Sequence, residues 1–499
     1  MSTKATVSTD GHLIDPNCKY NTGSLVGSKG IIYDCTLNQT DINTNKNKFY
    51  IMQIIKNGSK YTLYIRYGRI GETGTISYKD FASENQAISF FEKQFRTKTG
   101  NSWIDKDNFE RKNGKYFLTE IEHVDISEEL SSDTADSGLD KEEDLDERVT
   151  ELLKLISNTT YMKNTLVQLE IDTEKMPLGK ISQNQIDEAY LILNNINKNL
   201  DNDKLLNELS SEFYIRIPYA CGRRSPPIIN TRKLVGKYVN LLNELSQMAY
   251  GSKVISKLKK DKNNMFKLYQ NLRTEITPLE KSDKMYKILK CYINDSKGST
   301  HHFNYKILDI FEINREFERD IYSKFTKKNK INNKMLLFHG SRISNTMSIF
   351  QNGLMCDLSR LGINVHISGK MYGLGIYTAD SISKSIQYCA YDSSDNIACI
   401  FICEVALGNM LKKKQADPSL TANTLPKGYN SICGVGKNSY NEYHELKDGI
   451  LIPKGTIQPI KENLNSVLLY DEFIVYADEQ INLRYIIKLE IKNDNSDSE

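Results

Sequence analysis

The chain has 499 residues, 39% of them hydrophobic, and a formal net charge of +3. That length sets two to four domains, with enough apolar material for ordinary cores. No apolar run approaches the about 18 residues of a membrane-spanning helix. The opening stretch MSTKATVSTDGHLIDPN has no apolar signal core, and no CxxC pair offers a zinc site. These features argue against membrane-spanning, secreted and zinc-finger classes, and the nine scattered cysteines fit a reduced compartment.

Residues 1–25 are polar, show little periodicity and are expected to be unstructured. Residues 26–125 read as a small β-rich module. The runs KFYIMQIIK, YTLYIRYGRI and GTISYKDF are strand-like and are separated by the turn signals NGSK and GETG. The spacing of Ala87, Phe90, Phe91 and Phe95 then predicts an amphipathic helix, with Ser83 placed to cap it. Between Lys46 and Lys115 there are 14 Lys/Arg and 7 Asp/Glu. This basic module either faces phosphates or carries a lysine-biased solvated surface.

Residues 126–147 form an acidic linker. From Ser127 to Arg148 there are 10 Asp/Glu against 2 Lys/Arg. Residues 148–272 turn helical. Ser182 and Gln185 have capping-box spacing, Ile181 and Ile186 suit a hydrophobic staple, and Ile186, Ala189, Tyr190, Leu193 and Ile196 line one face. A bundle of several helices follows. Strands return over residues 273–493, in runs such as YKILDIFEINR, NIACIFICEVALGNM and RYIIKLEI, with short helical segments between them. This predicts an α+β domain with a mostly antiparallel sheet. Cys399 and Cys403 lie in one apolar run and read as inert core thiols. Residues 494–499 are expected to be an unstructured tail. The fold class is multidomain α+β.

Three stretches of the last third carry the chemistry: LLFHGSR around His339, MYGLGIYTADSISKSIQYC around Tyr377, and LLYDEFIVY around Glu472. From the residues alone each has a structural alternative. His339 reads as a satisfied structural residue, Tyr377 and Tyr388 as core tyrosines, and Glu472 as the wet face of an alternating strand. The segment GKMYGLG lacks GxGxxG spacing and has no βαβ context, which disfavours a dinucleotide-binding dehydrogenase.

Taken together, the three stretches resemble the NAD-binding signature of the poly(ADP-ribose) polymerase family. EVALGNM (404–410), PLGKIS (177–182) and PKG (426–428) also match family segments. YIRYGRIGETG resembles the family's WGR module, with Tyr67 in place of Trp, followed by Gly68 and Arg69; the later KTGNSW, with Trp103, fits the same module.

The resemblance implies NAD+ as a consumed substrate, with no metal, and roles for individual residues. Glu472 accepts the nicotinamide-ribose 2′-hydroxyl and polarises the acceptor; it is the catalytic residue, with His339 and Tyr377. His339 binds the adenosine ribose. Gly340 grips the carboxamide through its backbone, Ser385 bonds the same amide, and Tyr377 and Tyr388 stack on the ring. Ser341 and Asn345 contact ribose and adenosine, and Lys384 lies near the nucleotide and acceptor. Arg66, Tyr67 and Arg69 bind a DNA end. Residues 148–272 match the family's regulatory helical domain.

The expected function is DNA-break-activated transfer of ADP-ribose to protein side chains, its own included, with polymer elongation in the nucleus. The expected partners are DNA breaks, acceptor proteins and an accessory factor that redirects the acceptor residue, and no membrane. Mono-ADP-ribosyl transfer and a DNA-end-binding scaffold with weak catalysis stay open as alternatives. Two departures motivate them. Met355 stands where the family has Arg, with Arg360 as a candidate substitute, and Lys370 stands where it has Tyr, at the two ends of a lengthened loop (356–368).

Overall fold

The computed structural model describes residues 14–20, 23–28, 31–119, 145–158, 161, 164, 181–258, 264–301, 303–356, 370–391 and 396–493. The expected unstructured ends beyond these limits, most of the acidic linker, the PLGKIS segment up to Lys180, Arg360 and all but the first residue of the 356–368 loop lie outside the described residues. The chain divides into two compact units, Met1–Asp140 with Leu166–Ser256, and Lys141–Thr165 with Lys257–Glu499. No helix among the described residues is long and apolar enough to cross a membrane.

The first unit is built on an antiparallel sheet. Its strands run in the order Thr75–Phe81, Lys60–Arg69, Lys46–Asn57, Asp34–Asp41, Phe117–Thr119, with Ser24–Leu25 also paired to Lys46–Asn57. Alternation along Lys46–Asn57 sends Tyr50, Met52 and Ile54 to one face and Phe49, Ile51 and Ile55 to the other. The first face is closed by the helix Glu84–Thr99, which buries Ala87, Phe91 and Phe95 beside Trp103. Trp103 packs edge-on against Phe91 and Phe95, at 5.1 and 4.9 Å between ring centres. The helix stops at Gly100, which takes φ 76° and donates its N–H to the Arg96 carbonyl.

The second face corrects the expectation of an unstructured opening for its described residues, 14–20 and 23–25. Ile14 is buried with Phe49, Ile51 and Tyr64. Beside it, Asp15 forms an ion pair with Arg66 at 2.7 Å, both side chains being almost fully buried. The short polar opening thus supplies the counter-charge for an arginine in the core.

The same unit holds the helices Gln183–Lys198 and Asp203–Arg216 and all but the end of Arg232–Leu258. The first begins with half of the expected capping box: the Ser182 hydroxyl accepts the Gln185 N–H, while the buried Gln185 side-chain amide makes no hydrogen bond in return among the described residues, and Ile186, Ala189, Tyr190, Leu193 and Ile196 are buried.

The second unit contains the helices Glu147–Ile156 and Asn264–Asn271 and two principal sheets. The larger has seven strands, in the order Glu442–Glu445, Ile450–Lys454, Lys334–Gly340, Ile397–Ala406, Ile481–Asn493, Phe303–Arg315, Thr274–Pro278. Every neighbouring pair is antiparallel except Lys334–Gly340 with Ile450–Lys454. Ile397–Ala406 is buried nearly throughout, which explains its continuous apolar run and encloses Cys399 and Cys403. The smaller sheet has four strands, Ile376–Thr378, Glu472–Val475, Ser431–Gly434 and Met410–Lys413. The two sheets meet at a bridge in which Phe338 and Ala379 exchange both backbone hydrogen bonds, at 2.8 and 2.9 Å.

Candidate active site

The three stretches singled out in the sequence converge where these sheets meet. His339 and Gly340 end the strand Lys334–Gly340, immediately after the bridging Phe338. Tyr377 lies opposite Ile474 on the facing strand of the smaller sheet, and Glu472 opens the strand that carries Ile474. Lys384 and Ser385 sit on the short helix Ile382–Ile386, started by Ser381, whose hydroxyl accepts the Lys384 N–H.

Glu472 is 7% exposed, so the wet-face reading of its strand is excluded. Burying a carboxylate is costly unless it is paired. Here the partner is Lys384, whose ammonium lies 3.0 Å from Oε1 and 3.0 Å from the Tyr470 carbonyl. Asp471 turns elsewhere: its oxygens accept the Gly436 N–H at 2.6 Å and the Ser439 hydroxyl at 2.7 Å. A second acid, Asp380, is 2% exposed, and burial pushes its carboxyl well above the usual range. Asp380 is absent from the sequence-based candidates; only its position two residues beyond the Ile376–Thr378 strand signals it.

His339 is fixed by its Nδ1, 2.8 Å from the Tyr377 carbonyl. A carbonyl only accepts, so Nδ1 carries the proton and Nε2 is left as an acceptor. Burial lowers its pKa to about 4, helped by the nearby Lys370 charge and opposed by the Tyr377 carbonyl. We therefore expect an NMR titration of the imidazole to show a midpoint near 4, with the Nδ1–H tautomer above it. A midpoint near the ordinary about 6.5 would contradict this environment.

Gly340 packs directly on the main chain of Ser385, where an added Cβ would lie 1.8 Å from the Ser385 carbonyl oxygen. Only glycine fits. Asn345 donates to the Ser341 hydroxyl at 3.1 Å and is almost fully buried. The Tyr377 ring is pinned through its hydroxyl, which donates to the Gly373 carbonyl and accepts the Tyr372 N–H, both at 2.9 Å. Tyr388, by contrast, is 59% exposed, which removes the reading of it as a core tyrosine.

The three residues assigned to a DNA end separate. Arg66 requires correction: it is 1% exposed, bonds Asp15 through Nε and Nη2, donates to the Thr73 carbonyl and lies over the Phe49 ring. Such a side chain holds the core and does not face a phosphate. Tyr67, next along the strand, points to the opposite face, is 43% exposed and stacks on Tyr50 at 5.6 Å. Arg69 shares that face and is held by the Gly222 and Arg224 carbonyls and by Asn45.

Comparison with known proteins agrees with this layout. Residues 283–491 match the sequence model of the poly(ADP-ribose) polymerase catalytic domain, residues 143–271 that of its regulatory domain, and residues 33–110 that of the WGR domain. The chain is 32% identical to poly [ADP-ribose] polymerase 2 of Homo sapiens over 498 residues, 96% of this chain and 83% of that protein. It is 33% identical to poly [ADP-ribose] polymerase 2 of Zea mays over 468 residues, 91% of this chain and 70% of that one. It is 33% identical to poly [ADP-ribose] polymerase 1 of Gallus gallus over 491 residues, 96% of this chain and 47% of the longer relative. With three family domains in order and above 30% identity across most of two relatives, the chain belongs to the poly(ADP-ribose) polymerase family and is an NAD+ ADP-ribosyltransferase.

Proposed function

We propose that this chain is a nuclear, DNA-break-activated polymerase of ADP-ribose that modifies proteins, itself included, and extends the product into chains. The observation that carries this reading is the buried Glu472–Lys384 pair beside a His339 fixed by Tyr377. Breaking the C1′–nicotinamide bond needs little covalent help, because the leaving ring is already a cation. C1′ gains oxocarbenium character as the bond stretches, and a fixed negative charge near the ribose stabilises it.

Lys384 engages Oε1 of Glu472. The second oxygen, Oε2, is the one we assign to the ribose 2′-hydroxyl and to polarising the incoming acceptor hydroxyl. His339 Nε2 accepts a hydroxyl of the adenosine ribose, and Ser341 and Asn345 contact the same half. Gly340 and Ser385, in backbone contact, bind the carboxamide, and Tyr377 and Tyr388 take the ring between them. Retention of Glu472 favours polymer over single transfer.

DNA ends are read by the first unit, through the exposed face that carries Tyr67 and Arg69. Stacking one base on an aromatic side chain is worth about 1–3 kcal/mol. Tyr67→Ala is therefore expected to weaken binding of a 5′-phosphorylated duplex end about tenfold, measured by fluorescence anisotropy. Unchanged affinity would remove Tyr67 from the interface.

The deciding experiment is incorporation from labelled NAD+, with and without a short duplex carrying a 5′-phosphorylated break, resolved on a gel. A DNA-dependent high-mass ladder is expected. A single discrete shift would mean mono-transfer, and binding of DNA without incorporation would mean a scaffold.

A further inference from the structure

Lys370 places a second ammonium in the donor site, where the family resemblance leads one to expect a tyrosine. Its Nζ is 4.9 Å from the centre of the Tyr377 ring and 3.4 Å from the Gly375 carbonyl. It lies within electrostatic reach of Glu472, Cys356 and His339. Behind those neighbours stand Lys384, paired with Glu472, and Asp478, whose carboxylate accepts the Cys356 N–H at 2.7 Å.

An aromatic face attracts a cation. The Tyr377 ring is also the platform assigned above to nicotinamide, and in NAD+ that ring is itself positively charged. An ammonium and a pyridinium beside the same ring repel, and the repulsion is strong where water is excluded.

Resting on the reading of Tyr377 as the nicotinamide platform, we propose that Lys370 is a specificity-determining residue that makes capture of NAD+ proton-linked: its ammonium opposes the cationic ring, and its neutral amine admits it. Binding then expels a proton, and affinity rises with pH. As the C1′–N bond breaks, the nicotinamide charge is lost and the opposition ends, so the ammonium raises KM without lowering kcat.

The surroundings favour the neutral amine. Burial lowers the Lys370 pKa, against the pull of Cys356 and Glu472. The neighbours do not imitate its titration. His339 stays neutral down to about 4. Burial pushes the Cys356 thiol and the Tyr377 phenol far up, and the Tyr372 phenol up to about 12.

The test uses the full chain and two probes across a pH series that rises from near neutral towards the ordinary lysine range of about 10.4. One is NAD+. The other is benzamide, which has the ring and carboxamide of nicotinamide without the charge. KM for NAD+ is expected to fall about tenfold with rising pH, the size of one moderate charge–charge repulsion, while the Kd for benzamide stays level. Lys370→Met should flatten the KM profile at its low value. Lys370→Arg, which keeps the charge at every pH, should hold KM high throughout.

A Lys370→Met variant with the original pH profile would overturn the proposal. So would a benzamide Kd that follows the same slope, since a neutral ring is not repelled. Benzamide binding also shows that each variant keeps a folded site. A chain that neither turns over NAD+ nor binds benzamide would overturn the donor-site reading itself, and the proposal with it. Normal turnover and normal benzamide binding without the pH effect would overturn Lys370 alone.

Discussion

Glu472→Gln is expected to yield a folded chain that makes no polymer. The substitution keeps the shape and an acceptor oxygen for Lys384, 3.0 Å away, but removes the negative charge. One fixed group aimed at a developing charge is worth about 3–4 kcal/mol, so transfer should fall about 10²- to 10³-fold. Chain extension fails first, because each added unit repeats the step. Removing the side chain altogether differs in kind. Glu472→Ala takes away the acceptor oxygen as well as the counter-charge of the buried Lys384 ammonium, which costs about 3–5 kcal/mol of stability on top of the lost activity, whereas Gln still accepts its hydrogen bond. Comparing the two variants by gel assay and by thermal unfolding separates chemistry from folding. Polymer made at the ordinary rate by Glu472→Gln would show that this carboxylate is not the elongating group.

Asp15→Ala is expected to destabilise the N-terminal module by about 3–5 kcal/mol, because it strands Arg66 in the core without a counter-charge. The chain carries its own reporter. Trp103 is the only tryptophan, and it is buried under the same sheet, so its emission during urea unfolding follows this module alone. A double replacement, Asp15→Leu with Arg66→Met, should recover most of the loss, since a well-packed apolar pair is often as stable as a buried ion pair. An unchanged urea midpoint for Asp15→Ala would mean that the pair contributes nothing. The same logic applies to Arg66→Ala: any loss of DNA affinity there follows from unfolding and not from a missing phosphate contact.

The Asp15–Arg66 pair also marks where the sequence stopped being legible. Periodicity reveals the helix Gln183–Lys198 down to its capping serine, and the Ala87–Phe91–Phe95 face of the helix Glu84–Thr99. Both are local patterns. Arg66 and Arg69 share the run that the resemblance assigns to a DNA end, yet positions an odd number of residues apart on a strand turn to opposite faces. Tyr64, two residues earlier and fully buried, shares the Arg66 face; parity along the strand held the signal. Asp15 gave none, being one acid in a polar stretch 51 residues from its partner.

At the active site, the residue types came from resemblance. The Lys384–Glu472 contact and the orientation of His339 by a backbone carbonyl belong to tertiary structure. No spacing rule reports which carbonyl will meet an imidazole.

The bridge between Phe338 and Ala379 has a consequence for observing the enzyme. These two amides stitch the sheet that carries His339 to the sheet that carries Tyr377 and Glu472. They exchange with deuterium only when the seam parts. Their exchange rates therefore clock the integrity of the donor site in the resting enzyme, without substrate, label or turnover.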